Sequence, residues 1–521
     1  MTIDFMNISS FQVFIICIAS GSIITSIVFQ ALKKTSFSLM LLLSGTFALF
    51  LMAASLDPFL NLWDERFHAL VAKNLLNHPL LPTLYDDPVV SMAYDRWDRA
   101  VIWLHKQPLF LWQIALSFKL FGVSEFSLRL PSVLMSTGLV FFAYRIGYRI
   151  LNQRTGYIAG LLVATSYHLI ELVSGRAEVD HNDVAFLFYV TGSIWAWIEY
   201  ISSGKRYWII LIGLFSGCAI LCKWLVGLLV YAGWGMYNIL VFRQRIDKYL
   251  GIGLALLITL AIVLPWQILI FNWYPAEATE TLRYNTLHLT TVIEGHGGGF
   301  WYYVEHFGNL FGSVATYLIL PSILVFILRI QNRSLGIAFL SMPLLVYLFF
   351  SIASTKMPSY PFVVAVPVFI ALASAFDTGL EYLKRLPVPA WIFGLLAGIL
   401  LAVTGYLNLQ PKRIVETHAI NYPSNHYSPV LMDNKEIYLE LKNTLPDHSV
   451  IFNVKGRHYV ECMFYTGFPS YSLIPTQVQV DELNAKGRTL AIFLPTNQKL
   501  PDYLLSREDI IYIDQEVKGW D

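Results

Sequence analysis

What most constrains this chain is a recurrence of apolar stretches, each about 20 residues long, from near its start to about residue 407. A helix of about 20 mostly apolar residues covers the roughly 30 Å of hydrocarbon in a bilayer. Such stretches lie near 11–31, 37–56, 130–150, 156–174, 184–202, 207–222, 224–242, 250–271, 309–330, 334–353, 360–377 and 388–407, which predicts about 12 spans. The first lacks a basic leader and a small-residue cleavage site, so it reads as a span rather than a removable signal peptide. Every second connection is basic: Lys33-Lys34, Arg149 with Arg154, Lys205-Arg206, Arg243 with Arg245 and Lys248, Arg329 with Arg333, and Lys384-Arg385. Basic residues collect on the cytoplasmic side of membrane proteins, which puts these connections in the cytoplasm. The alternation holds only if 108–122 (PLFLWQIALSFKLFG) does not cross. That segment is short and carries Lys119, so it is expected to lie in the interface or to dip in from outside.

The outer side then receives a long first loop, about 57–129, a glycine- and aromatic-rich loop, about 272–308, and everything beyond about 408. In the tail, SVIFNV (449–454), RTLAIFLP (488–495) and DIIYID (509–514) read as buried strands, with helices around 456–467 and 476–486. Strands alternating with helices indicate an α/β unit. The expected architecture is mostly α: a polytopic membrane helix bundle over 1–407 and a small extracytoplasmic α/β domain over 408–521. A net charge of only +1 argues against a nucleic-acid partner. Cys17, Cys218, Cys222 and Cys462 form no disulfide or zinc pattern.

Charge near a bilayer is costly, so it is kept wet, paired or used. Asp64-Glu65 opens a helical pattern, where the helix dipole favours an acid; the functional alternative is a carboxylate that takes a proton from an acceptor hydroxyl or holds a divalent cation. Lys106 and Lys356 sit at outer span ends, either snorkelling to the headgroups or holding a phosphate, with Tyr360 beside the second. Arg176, Glu178, Asp180, His181 and Asp183 crowd one short outer connection. Asp180 and Asp183 are three apart and share a helix face if the next helix starts early; with His181 they are candidates to ligate a metal. The run Glu294-Gly295-His296-Gly297-Gly298-Gly299 followed by aromatics reads as a lid over a lipid or sugar, or as a plain turn in the aromatic belt.

In order along the chain come Asp64-Glu65, the Lys-x-Pro-Leu run at 106–109, FGVSEFSLRLPSVL (121–134), Arg176 with Asp180, and STKMPSYPFVVAVP (354–367). This succession resembles the GT-C superfamily of polytopic glycosyltransferases, within it the protein O-mannosyltransferase-like group that includes the lipid A aminoarabinose transferases. The resemblance covers about 55–370. It departs from the group at Lys106-Gln107-Pro108, where Lys-Pro-Pro is usual, and at His105, where an acid is common.

The resemblance implies transfer of one sugar from a polyprenyl-phosphate donor to an acceptor lipid, glycan or protein at the outer face of the plasma membrane. Asp64, Glu65 and Asp180 would be the catalytic carboxylates, with Asp64 as the base. Lys106, Lys356, Tyr360 and Arg176 would meet the donor phosphate. Asp183 and His181 would serve the acceptor or a divalent cation, and Arg129 would be structural. A transporter or flippase of lipid-linked sugars, a transferase of whole glycans and a membrane scaffold are the alternatives. No related halves and no midplane charge speak for the first.

Overall fold

The computed structural model describes residues 10–519 apart from 178–179, 244, 386, 388 and 496–498. Glu178 of the polar cluster lies outside the described residues. Each expected span falls on a helix, and by length and composition alone the count of about 12 is not confirmed. Among the described residues nine helices are long and apolar enough to cross a membrane, or ten if the bent pair Gln153–Ala164 and Tyr167–Val173 is one span.

Three local causes account for the difference. The bent pair breaks by 48° at Thr165-Ser166, where the Ser166 hydroxyl caps the second helix at Leu169. The helix Ser313–Arg329 is short because Gly312, at φ 85°, ends the preceding turn Phe307–Phe311. The stretch Tyr207–Phe242 has the composition of one long span. Yet Ser216 donates to the carbonyl of Gly227 at 2.6 Å, two points about 16 Å apart along a continuous helix. The chain therefore turns after the helix Tyr207–Lys223, through the single turn Trp224–Leu228, before the helix Leu229–Phe242. Leu109–Phe121, like Ser313–Arg329, is a shorter apolar helix.

The outer helices show their apolar side chains. On Ala390–Leu409, Trp391, Leu395, Leu396, Ile399 and Leu407 are all exposed. A continuous apolar surface of this kind belongs against lipid rather than water. The protein is thus a multi-pass membrane protein.

In the tail, β1 (Ser449–Phe452), β2 (Thr489–Phe493) and β3 (Ile510–Ile513) form a parallel sheet in the order β1-β2-β3, with Ser449 opposite Thr489 and Leu490 opposite Ile510. The helices Tyr459–Thr466 and Gln477–Ala485 lie between the first two strands. Thr476 and Gln479 close a capping box at the start of the second. One apolar core runs from the helix bundle into this sheet.

Charge divides the bundle lengthwise. Glu199 is gripped by Arg145 and by Arg149, the latter at 3.0 Å, and Asp377 by Arg154 and by Arg329, the latter at 2.8 Å. Asp183 and Tyr360 stand at the opposite ends of the helical segments that carry Glu199 and Asp377, about 24 Å away on a rise of 1.5 Å per residue.

Candidate functional site

At that end lies a cavity of about 430 Å³. The first long loop contributes Trp63, Asp64, Trp97 and 105–107; the bundle contributes Asp183, Lys223 and Tyr360; the glycine-rich loop contributes Glu294 and His296; the tail contributes Arg457. Phe186, Leu225, Leu289, Phe349 and Phe350 make much of the remaining wall apolar.

Asp64 is the first residue of the helix Asp64–Asn74. Trp63 before it holds φ 64°, a left-handed conformation that costs a tryptophan about 1–3 kcal/mol and recurs where a site fixes its backbone. The Asp64 carboxylate meets Lys106 Nζ at 2.9 Å, and both side chains are about four-fifths buried, with relative exposures of 17% and 18%. Burial alone would raise the Asp64 pKa, but the Lys106 charge foremost holds it well below the carboxylate range. Burial would likewise lower Lys106, and the Asp64 charge instead raises it. His105 is driven well below its ordinary value, first by burial and then by Lys106, so it stays neutral.

Glu65 points the other way. It is fully buried, takes Arg129 Nε at 2.7 Å and Nη2 at 3.0 Å, accepts from the Asn61 amide at 2.6 Å, and lies 3.2 Å from His181 Nε2. Burial raises its pKa, but Arg129 foremost lowers it to about 2. Gly175, at φ 76°, lies against this carboxylate, and any Cβ there would overlap it. Arg129 also donates to the carbonyls of Asp57, at 2.5 Å, and Phe59, at 2.8 Å, fixing the start of the first loop. His181 Nδ1 meets Ser132 at 2.9 Å. Glu65 and His181 do not line the cavity; they hold its frame.

The other predicted residues divide similarly. Asp180 is buried with His68 Nδ1 at 2.7 Å, one helical turn after Asp64, and is outside the cavity wall. Asp183 lines the cavity and meets Lys223 Nζ at 2.5 Å. Tyr360 lines it too, its ring 5.1 Å from Lys223 Nζ. Lys356 turns away: its ammonium donates to the carbonyls of Phe350, Ser351 and Ala353 at 3.2, 2.9 and 2.5 Å. An ammonium has three protons, so all are used at the end of the helix Arg333–Ile352. Arg176 lies over the Tyr427 ring, 3.5 Å from its centroid, and reaches the carbonyl of Thr417, joining the bundle to the tail.

Two cavity cations escape the sequence reading, Lys223 and Arg457. Lys223 has a signal: it is a lone lysine between two apolar stretches, apart from the basic connections. Arg457 has none, because only the fold brings the tail to the cavity.

Among the described residues no group of three or more His, Cys, Asp or Glu is arranged to hold a metal. The two aspartates on the cavity wall each already face a lysine. One structure of the Archaeoglobus fulgidus oligosaccharyltransferase is described as a complex with Zn and sulfate.

Residues 105–269 match the family model described as dolichyl-phosphate-mannose-protein mannosyltransferase. An undecaprenyl phosphate-alpha-4-amino-4-deoxy-L-arabinose arabinosyl transferase of Pseudomonas fluorescens is 27% identical over 60% of this chain and 56% of its own length. A Pseudomonas aeruginosa counterpart is 28% identical over 48% of this chain and 45% of its own. The chain thus spans about half the length of these curated relatives. Among solved structures, ArnT from Cupriavidus metallidurans bound to undecaprenyl phosphate superposes with a TM-score of 0.63, at 15% identity, over 86% of this chain and 87% of that one. The archaeal oligosaccharyltransferase AglB from Archaeoglobus fulgidus, in complex with an inhibitory peptide and a dolichol-phosphate, gives 0.54 at 12% identity, over 82% and 63%. The fold is that of these two structures, and the chain is similar in sequence to the arabinosyl transferases.

Proposed function

We propose that this protein is an integral membrane glycosyltransferase that moves one sugar from a polyprenyl-phosphate donor to a hydroxyl or phosphate on an acceptor lipid, glycan or protein. The observation that carries the reading is the Asp64–Lys106 pair at 2.9 Å in the wall of a largely apolar cavity. A polyprenyl phosphate offers a phosphate for a cation and an isoprenoid tail for an apolar wall. Both complements are present, and the relatives act on or bind such lipids.

Transfer is a displacement at the anomeric carbon with inversion. The acceptor oxygen forms its bond to that carbon as the bond to the phosphate oxygen breaks. The polyprenyl phosphate leaves with the electron pair. Lys106 meets the charge that builds on it, with Lys223 and Tyr360 near. A hydroxyl acceptor gives its proton to Asp64; a phosphate acceptor already carries the charge it needs. Donor phosphate competes with Asp64 for Lys106, so binding loosens the pair and restores basicity to Asp64. Glu65, Asp180 and His181 act behind this pair by fixing the helix and loop that bear it. Placing the arginine-rich end of the bundle in the cytoplasm puts the cavity, and the domain over 408–521, on the outer face of the plasma membrane.

The test is transfer in vesicles containing the purified protein and a polyprenyl-phosphate sugar. Asp64→Asn lowers kcat about 10²–10⁴-fold, the usual worth of a general base, with donor binding retained. Lys106→Ala raises the donor concentration needed for half-maximal rate. Unchanged transfer in both variants overturns the reading.

A further inference from the structure

Three of the four parts of the site, the first long loop, the glycine-rich loop and the tail, meet on one side chain. Trp97 stacks on His105, centroids 4.5 Å apart and planes 15° from parallel, and His105 is the neighbour of Lys106. Phe67, on the helix that Asp64 opens, packs on Trp97 at 5.0 Å. The Trp97 indole N–H donates to Glu294 of the glycine-rich loop at 3.2 Å. The Arg457 guanidinium of the tail lies 5.4 Å from the Trp97 ring centroid.

The tail cannot drift relative to this stack. Arg457 follows the carboxyl end of β1, where parallel α/β units present their functional loops. Tyr459 donates to the carbonyl of Asp98, next to Trp97, and Arg457 Nε meets the Asp98 carboxylate at 3.5 Å. On the helix Tyr459–Thr466, Glu461 takes Arg66 from the Asp64 helix at 3.3 Å and is also 3.2 Å from His458; all three are buried. The Tyr465 hydroxyl accepts from the Leu60 amide at 2.9 Å, and Lys73 donates to the Phe464 carbonyl at 2.7 Å. The same tail helix thus grips the backbone that leads into Asp64 and the loop that leads into Lys106.

We infer that Trp97, braced by Arg457 from the tail, is the positioning residue that sets Lys106 in register with Asp64. The tail is on this account part of the donor site. A cation over an indole contributes modestly, but a reacting group displaced by about 1 Å forfeits up to about 100-fold in rate, so a weak brace has a large lever. Trp97 need not touch the sugar: one face is occupied by His105, and its N–H by Glu294.

The inference rests on Lys106 as the contact for the donor phosphate, and the experiment separates the two. Binding of a polyprenyl phosphate without sugar is measured on the full chain in lipid nanodiscs. Arg457→Ala is expected to weaken binding about 2- to 5-fold and Trp97→Ala about 10-fold. Arg457→Lys and Trp97→Phe, which keep a cation and a ring, restore most of the affinity. The double alanine variant binds no more weakly than Trp97→Ala, because Arg457 acts through Trp97. The same variants lower kcat/KM in transfer, because Lys106 also meets the charge that builds on the leaving phosphate, and Arg457→Lys and Trp97→Phe recover most of it. Additive losses, or wild-type binding in Arg457→Ala, overturn the inference while Lys106→Ala still weakens binding. Wild-type binding in Lys106→Ala overturns both.

Discussion

The two ends of the helix bundle carry the same kinds of charge to opposite effect. At one end Glu199 and Asp377 are each held by two arginines, and the groups close on one another. At the other, Asp64 faces Lys106 and Asp183 faces Lys223, one cation to each acid, around about 430 Å³ of space. Two guanidiniums on one carboxylate leave it no role but to hold helices together. One flexible ammonium on one carboxylate is a pair that a competing anion can part. The lesson is that stoichiometry and access, rather than burial alone, separate a structural ion pair from a reactive one.

The largest effect that tests this comparison is a crossed one. Asp377→Asn should cost about 1–3 kcal/mol of stability, since its arginines are partly exposed and recover some solvation. Thermal unfolding in detergent reads that loss, and transfer per folded molecule should stay near wild type. Asp64→Asn should do the reverse, with kcat down about 10²–10⁴-fold and melting little changed. If Asp377→Asn lost turnover at full stability, the two ends would not differ as argued.

Glu65→Gln sharpens the comparison within a single dipeptide. Removing one partner of a fully buried pair costs about 3–5 kcal/mol, so this variant should express poorly or melt early. What folds should retain donor affinity. Normal stability with lost transfer would return Glu65 to the chemistry.

The sequence made much of this legible. The tail strands at 449–454, 488–495 and 509–514 appear as β1 to β3, because a short apolar run flanked by turns has few other ways to be buried. The helix positions follow equally directly from hydropathy. Asp64, Lys106, Tyr360 and Asp183, all singled out in the sequence, line one cavity, and Asp64 pairs with Lys106 there. What local pattern could not supply was direction. Asp64 and Glu65 are adjacent helix residues about 100° apart around the axis, and nothing in the dipeptide says which faces the opening. Lys356 has the look of a phosphate ligand, but Met357-Pro358 end the span, and its ammonium is drawn to the carbonyls freed there. Arg457 is out of reach of any local reading, because it enters the site through tertiary docking some 350 residues after Lys106.

Lys356 accordingly supplies the next smaller test. Lys356→Met keeps the apolar stem and removes the cap on three carbonyls, a loss of about 1–3 kcal/mol. Its melting should fall while binding of a polyprenyl phosphate stays within about 2-fold of wild type. A 10-fold loss of binding at unchanged stability would show that Lys356 leaves its carbonyls to meet the donor.

The smallest effect lies in pH dependence, and it addresses what makes the open pair different. The Asp64 and Glu65 pKa values are both lowered in the folded protein, so their contribution to stability is present above the ordinary values of 3.8 and 4.5 and is lost as pH falls through the depressed ones. In the free enzyme Asp64 therefore stays ionised, and kcat/KM should show no acid limb from it above 3.8. Once donor phosphate takes Lys106, the carboxylate loses its main counter-charge while its burial remains, so its pKa rises in the complex. Because kcat reports the complex and kcat/KM the free enzyme, the acid limb of kcat should lie at higher pH than that of kcat/KM. Lys106→Ala removes the counter-charge beforehand, so its kcat/KM limb should move up toward that of kcat. Superimposable limbs in the wild type would mean that the pair never parts, and Asp64 would then be a structural acid like those at the far end of the bundle.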